Sequence, residues 1–337
     1  MDSNSGKHKG RSTEPQIAPV PAGVTRPLWS VMIPTFNCAR HLRETLESVL
    51  AQDPGPEQMQ IEVVDDCSDK DDPEKVVKEI GRGRVLFHKK PVNEGAVRNF
   101  NTCLERSHGH LIHILHGDDL VETGFYTEFT AAFEASADCA AIFCRAFDIG
   151  ENRELLGLSG FCQSLTKGSN DARELLIGNP LRTPAAVVRR CFYERYGGFD
   201  PSLVHTADWD MWVRTIVNGR ARMLNRPLAS YRIFEGSDTN RLRRLAENLR
   251  DCLRFSEKRG AEPLTGFDRI AFNRELVRTS FVEARHFQRL GDHEAARANY
   301  SFFHRNSSPR QRGQLYLELL LRKLSYLALG SSITDSE

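Results

Sequence analysis

The chain has no unbroken run of about 18 apolar residues, so no membrane-spanning helix is expected. It has no excess of either charge: 46 lysines and arginines face 45 aspartates and glutamates, a formal net charge of +1. No sequence-wide attraction to nucleic acid or anionic lipid follows. Its eight cysteines are scattered and contain no CxxC pair. They read as free thiols, mostly small buried hydrophobes, in a reducing cytoplasmic compartment. The N-terminus has no apolar core of the kind a signal peptide carries. No glycine-rich phosphate loop follows the first apolar run, where "PTFN" stands instead. That absence argues against a dinucleotide-dependent oxidoreductase and a nucleotidyltransferase.

What is present is an alternation. "WSVMIP" reads as a buried strand and "CARHLRETLESVLAQ" as an amphipathic helix with Leu42, Leu46, Val49 and Leu50 on one face. "IEVVDD" and "RVLFHKK" read as further strands, with "PEKVVKEIG" as the helix between them. "NEGAVRNFNTCLERSHG" is expected to be a helix and "HLIHIL" a fourth strand, halted by "HGDD". Strand and helix in turn predict an α/β fold with a mainly parallel sheet. Beyond it, "GFYTEFTAAFEAS" reads as a helix, "CAAIFCRAFDI" as a strand, residues 152–170 as a covering loop and "DARELLIGN" as a helix. "TPAAVVRRCFYERYGGFDP" gives a strand, a short helix and a turn. In "TADWDMWVRTIVNG", Trp209, Trp212, Val213, Ile216 and Val217 form the apolar stripe of a helix, with Asp208 just before it.

Parallel sheets carry their chemistry at the carboxyl ends of their strands. Asp65 and Asp66 follow the second strand, and Asp118 and Asp119 follow the fourth. Four carboxylates on one rim would repel unless a cation or a ligand's donors compensate. The histidines nearby do not form a local metal site. On a strand, His110 and His116 share a face but lie about 20 Å apart. His113 points the other way, and His108 precedes the strand. His116 alone is close enough to touch whatever the aspartates hold. Asp208 has two compatible readings, a helix N-cap and a chemical base.

From Ser30 to about Tyr231 the motifs together resemble glycosyltransferase family 2, the inverting enzymes of GT-A fold. "SVMIPTFN" is similar to that family's opening strand and turn, "IEVVDDCSD" to VVDDGSTD, and "NEGAVRNFN" to NxGxxxARN. "HGDDL" resembles the DxD-like metal motif, and "TADWDMW", after "RRCFYERYGGFD", the ED-type acceptor motif. Two positions depart. Ala207 stands where the family often has Glu before the catalytic Asp, and "YRIF" places Phe234 where a YRxH segment would supply a histidine.

The resemblance implies a GT-A fold: one Rossmann-like, mainly parallel sheet flanked by helices. A disordered tail (1–27), a catalytic domain (28–239), a helical extension (240–330) and a short tail (331–337) are expected. It also implies a hexosyltransferase-type reaction from a nucleotide-sugar donor, UDP-linked in the first instance, to a glycan, lipid-linked or protein acceptor. Asp119, with Asp118, would hold Mn²⁺ or Mg²⁺ on the diphosphate. Asp118 would also lie near the ribose. Asp66 would meet the base, Asp65 would support it or the ribose, and Pro34, Thr35 and Phe36 would wall it. Arg98 would reach the diphosphate. Asp208 would take the acceptor's proton, with Asp210 turned to another side of the helix. A protein that keeps the sugar-nucleotide pocket without catalysis, left open by Ala207 and Phe234, is one alternative, and a metal-dependent nucleotidyltransferase sharing the sheet and the metal is the other. For the C-terminal helices, packing on the domain, pairing with a second chain and peripheral contact with the inner face of a membrane all remain open.

Overall fold

The structure is a computed structural model that describes residues 14–260, 267–318 and 321. It divides into two compact units, residues 1–235 with 264–267, and residues 236–263 with 268–337. Residues 1–13 of the tail expected at 1–27, the tail expected at 331–337 and the extension beyond 321 lie outside the described residues.

In the first unit the chain runs β1 (Trp29–Thr35), α1 (Ala39–Leu50), β2 (Met59–Asp65), α2 (Pro73–Gly81), β3 (Leu86–Lys89), α3 (Ala96–Arg106) and β4 (Leu111–Ile114). It continues through β5 (Leu120–Val121), α4 (Phe125–Glu134), β6 (Ala141–Ile149), β7 (Leu155–Leu158), β8 (Ala186–Arg189), α5 (Arg190–Tyr196), α6 (Ala207–Gly219) and β9 (Ala221–Arg232). The sheet order is β3-β2-β1-β4-β8-β6-β9-β5, with β7 as a hairpin partner of β6. The β3-β2-β1-β4 half is parallel. Every residue of β1 and β2 is buried, as in a sheet covered on both faces, and the polar ones are paired: Ser30 donates to Gln60 and Glu62 accepts from Arg106. α1 lays Leu42, Leu46 and Val49 onto the core beside Val31, Ile33 and Ile61.

Beyond β4 the sheet becomes mixed. β8 runs antiparallel to β4 and β6, β9 runs parallel to β6, and β5 is antiparallel to β9. "DARELLIGN", expected as a helix, is instead a run of turns over 173–177. Leu175 and Leu176 are buried there, and the Leu175 carbonyl accepts the Trp209 indole N–H at 2.6 Å. Both tryptophans of α6 are core residues.

Order also begins earlier than Leu28. Ile17 is fully buried, the Gly198 N–H donates to the Pro15 carbonyl, and Arg190 donates to the Ala18 carbonyl. Arg26 reaches the carbonyls of His108 and Gly109. The polar composition of this stretch hides one apolar anchor and several carbonyls that find donors.

The second unit contains α7 (Asp238–Arg244), α8 (Glu247–Gly260), α9 (Arg269–Arg289) and α10 (His293–Asn306). α9 and α10 pack on each other across the Gly291-Asp292 break, and Asp292 caps α10 by accepting the Ala295 N–H. Val277, Phe281 and Phe303 form its small core. Among the described residues, no helix is long and apolar enough to cross a membrane.

Candidate active site

The carboxyl ends of β1, β2 and β4 meet on one rim, and "PTFN", "VVDDCSD" and "HGDDL" lie there in turn. After β1, Pro34 and Thr35 are buried while Phe36 is 45% exposed. Phe36 is therefore the only one of the three expected wall residues that presents its ring to solvent. Thr35 shares a hydrogen bond with Cys38 Sγ. Asn37 adopts a left-handed φ of 50°, and its amide ties down Asp69 and Lys70 of the loop after β2.

Asp65 and Asp66 are both buried and both engaged. Asp65 accepts the N–H and hydroxyl of Ser68, so it closes its own loop. Asp66 accepts the N–H groups of Glu94 and Gly95 and pairs with Lys90 at 2.8 Å. It thereby pins the start of α3, whose N-cap is Gly95 at φ 90°. Arg98 lies exposed in the first turn of α3.

The four histidines separate as their spacing predicts. His113 is a core residue, with its ring nitrogens against Tyr126 Oη (3.3 Å) and the Pro184 carbonyl (3.0 Å). Burial pushes its pKa down to about 4. His110 is exposed, whereas His116 turns toward the aspartates.

His116, Asp118 and Asp119 offer ligand atoms that all lie within 4.8 Å of one another. Gly117 makes this possible. A Cβ there would fall 2.7 Å from Cys38 Sγ and 3.1 Å from Thr35 Oγ1, so only glycine lets the turn after β4 settle against the end of β1. Asp119 is fully buried. Its Oδ1 accepts the Arg232 N–H at 2.8 Å, and its Oδ2 is buried without a hydrogen-bond partner, as is His116 Nε2. Asp118 is partly covered. Burial raises its pKa to about 6, against the opposing charge of Arg232. Burial and then the charge of Asp118 hold Asp119 well above the usual carboxylate range. Burial likewise lowers His116 to about 4, so its imidazole is neutral. A neutral imidazole, two carboxylates short of counter-charge and orphaned buried polar atoms are a donor set that fits a divalent cation.

Arg232 organises this turn, and sequence reading missed it. Its guanidinium has no solvent exposure and donates to the Asp118 and Glu151 carbonyls and to Glu44 of α1. Its one signal was its place in "YRIF". Two residues on, Phe234 packs against His41 at a ring separation of 5.0 Å.

Asp208 sits in the first turn of α6, whose N-cap is Thr206. Its Oδ1 accepts the Trp209 N–H at 2.6 Å, and its Oδ2 accepts the Thr183 hydroxyl at 3.0 Å. It thus satisfies a helix-end donor without being the N-cap itself. Burial raises its pKa, while His205, its hydrogen bonds and Arg182 oppose that rise. Asp210 is a structural residue by contrast: it is wholly buried and pairs with Arg214 at 2.9 Å. Arg182, also missed from sequence, makes a two-pronged contact with Asp148, lies over the Tyr231 ring, and acts electrostatically on both Asp119 and Asp208. No motif marks it.

Residues 30–197 match the family model described as Glycosyl transferase family 2. The "Uncharacterized protein MT1568" of Mycobacterium tuberculosis is 28% identical over 257 residues, covering 71% of this chain and 78% of its own. The fold is similar to that of S. aureus TarS (TM-score 0.51, 19% identity), of which this chain, over 77% of its own length, spans 43%. It is also similar to the mannosyltransferase PcManGT from Pyrobaculum calidifontis, solved in complex with GDP-Man and Mn²⁺ (TM-score 0.55, 15% identity, 90% of this chain and 82% of that one). With its mixed α/β sheet of GT-A type and its ordered motifs, the chain belongs to glycosyl transferase family 2.

Proposed function

We propose that this protein transfers a hexosyl group, with inversion, from a nucleotide-diphosphate sugar to an acceptor hydroxyl. The observation that carries the reading is the cluster of His116, Asp118 and Asp119 at the carboxyl rim of the sheet, whose ligand atoms lie within 4.8 Å of one another. Arg182, held by Asp148, adds positive charge in the field of both Asp119 and Asp208. The diphosphate leaving group bears about two negative charges near neutral pH, and a divalent ion held by Asp118 and Asp119 would supply a Lewis acid for them. TarS has been solved with UDP-GlcNAc and PcManGT with GDP-Man, which favours a UDP- or GDP-linked donor here.

The chain's own residues do the rest. Phe36 offers an apolar face to the base. Asp66 shapes the pocket by pinning the start of α3, and its remaining lone pairs can meet a base N–H. Asp208 accepts the acceptor's proton as the new bond forms. Its pKa, raised by burial, makes it a better base than an exposed aspartate. Thr183 and the Trp209 N–H fix its orientation.

A panel of UDP- and GDP-sugars tests the reading, each incubated with and without Mn²⁺ and a mixed acceptor pool. Metal-dependent release of the nucleoside diphosphate, lost in Asp118→Ala and Asp119→Ala, is expected. Equal nucleotide affinity with and without metal in the unaltered protein would remove the metal from the reading.

A further inference from the structure

We infer that His116 is a direct ligand of the divalent cation and biases the site toward Mn²⁺ and related transition metals over Mg²⁺. This rests on the metal-assisted reading above and adds the identity of a ligand and of the ion it selects.

Three observations converge on it. His116 Nδ1 lies 3.5 Å from Asp119 Oδ2, at the outer limit of a hydrogen bond, so the imidazole is close to that carboxylate without being tied to it. The ring is held in place by stacking on Phe100, with centroids 5.1 Å apart and planes 13° from parallel. Asp119 is 1% exposed, and its Oδ2 has no hydrogen-bond partner. A buried carboxylate oxygen left in that state is costly unless a cation meets it. Arg232, the nearest fixed cation, spends its guanidinium on Asp118 O, Glu151 O and Glu44 and meets Asp119 only through its backbone N–H. The remaining space near Oδ2 is bounded by His116 and Asp118, whose ligand atoms lie close enough to converge on one ion.

The chemistry of the set then discriminates between ions. Mg²⁺ keeps an octahedral oxygen shell and sheds water reluctantly. Imidazole is a poor exchange for one of its waters, whereas the first-row ions bind a mixed nitrogen and oxygen set with an affinity that rises from Mn²⁺ toward Cu²⁺. The "HGDD" turn therefore differs in ion preference from a turn that offers oxygen ligands alone.

The test uses the full chain with UDP as the added nucleotide. Bound Mn²⁺ is followed by electron paramagnetic resonance, and its ligands by electron-spin-echo modulation. Coupling to a directly bound ¹⁴N is expected in the unaltered protein and absent in His116→Asp. Mg²⁺ should displace Mn²⁺ from His116→Asp at a concentration at least about tenfold lower than from the unaltered protein. The UDP affinity of the variant measured without metal reports whether its pocket is intact. Bound Mn²⁺ with no ¹⁴N coupling in the unaltered protein would overturn the inference and leave the metal-assisted reading standing. A Mn²⁺/Mg²⁺ preference unchanged by His116→Asp, in a variant that still binds UDP, would overturn it as well. Absence of any bound Mn²⁺, with or without UDP, would instead remove the metal-assisted reading on which it rests.

Discussion

Asp208→Asn separates chemistry from architecture at the proposed base. The carboxylate accepts the Trp209 N–H on Oδ1 and the Thr183 hydroxyl on Oδ2. Asparagine keeps an oxygen for the first. Its amide can donate to the Thr183 oxygen for the second, because a hydroxyl both gives and accepts. Stability should therefore fall by at most about 1 kcal/mol. The amide cannot take up a proton, so turnover should fall roughly a hundredfold or more, with donor and metal affinity retained. Asp210→Asn is the contrasting variant. Its carboxylate pairs with buried Arg214, which also donates to the carbonyls of Tyr196 and Gly198. Neutralising it should cost about 3–5 kcal/mol. That corresponds to a fall in Tm on the order of 10 °C. The assays are turnover with a sugar nucleotide, donor binding by calorimetry, and thermal unfolding of each variant. Near-normal turnover in Asp208→Asn would refute its role as base. Loss of donor affinity in the same variant would move the residue into the donor site.

Mn²⁺ should raise Tm more at about pH 7.5 than at about pH 5. Asp118 and Asp119 have folded-state pKa values raised by burial, so the stability they contribute without metal is present at low pH and is lost as pH rises through those raised values, about 6 for Asp118. A bound cation offsets that loss, by about 2.7 kcal/mol at a hundredfold excess over Kd; equal thermal shifts at both pH values would contradict this. The acid limb of the pH–rate profile should lie above the ordinary aspartate value, because burial raises Asp208; a limb at or below that value would exclude it as the titrating base. Arg232→Met should weaken Mn²⁺ binding by about tenfold or more through loss of its bonds to the Asp118 and Glu151 carbonyls, whereas unchanged Mn²⁺ affinity would show that the turn holds its shape without it. Deleting residues 1–26 should cost about 3 kcal/mol through loss of buried Ile17 and its neighbours' hydrogen bonds; unchanged thermal unfolding would show that this anchor contributes nothing.

How far the sequence was legible follows the range of the interactions. β1, β2, α1 and α3 could be read because their burial pattern is written locally, in short mostly apolar strands and helical stripes. The antiparallel strand β8 and the long strand β9 lie next to partners far away in the chain, and nothing local encodes that pairing. "DARELLIGN" has a helical pattern, but a tertiary hydrogen bond from Trp209 to the Leu175 carbonyl accompanies a run of turns there. Ile17 was hidden because composition averaged over a polar tail cannot register one buried side chain.

The same distinction divides the site. The carboxylates were found because strand-end acidic pairs are a local signal. What each carboxylate does depends on partners that the signal does not contain. Asp65 and Asp66 look alike in "VVDD", yet one closes its own loop and the other pins the start of α3 through two backbone N–H groups. Asp118 and Asp119 look alike in "HGDD", yet Asp119 is locked on one oxygen by Arg232, more than a hundred residues along the chain, and is left open on the other. Arg182 lacks any motif because its role is to be near three acidic residues, Asp148, Asp119 and Asp208, that only the fold assembles. The acidic residues specify where charge can accumulate, and the two arginines determine how much of it stays uncompensated. That residual charge, at Asp119 Oδ2 and around Asp118, is what a cation and a diphosphate would complete.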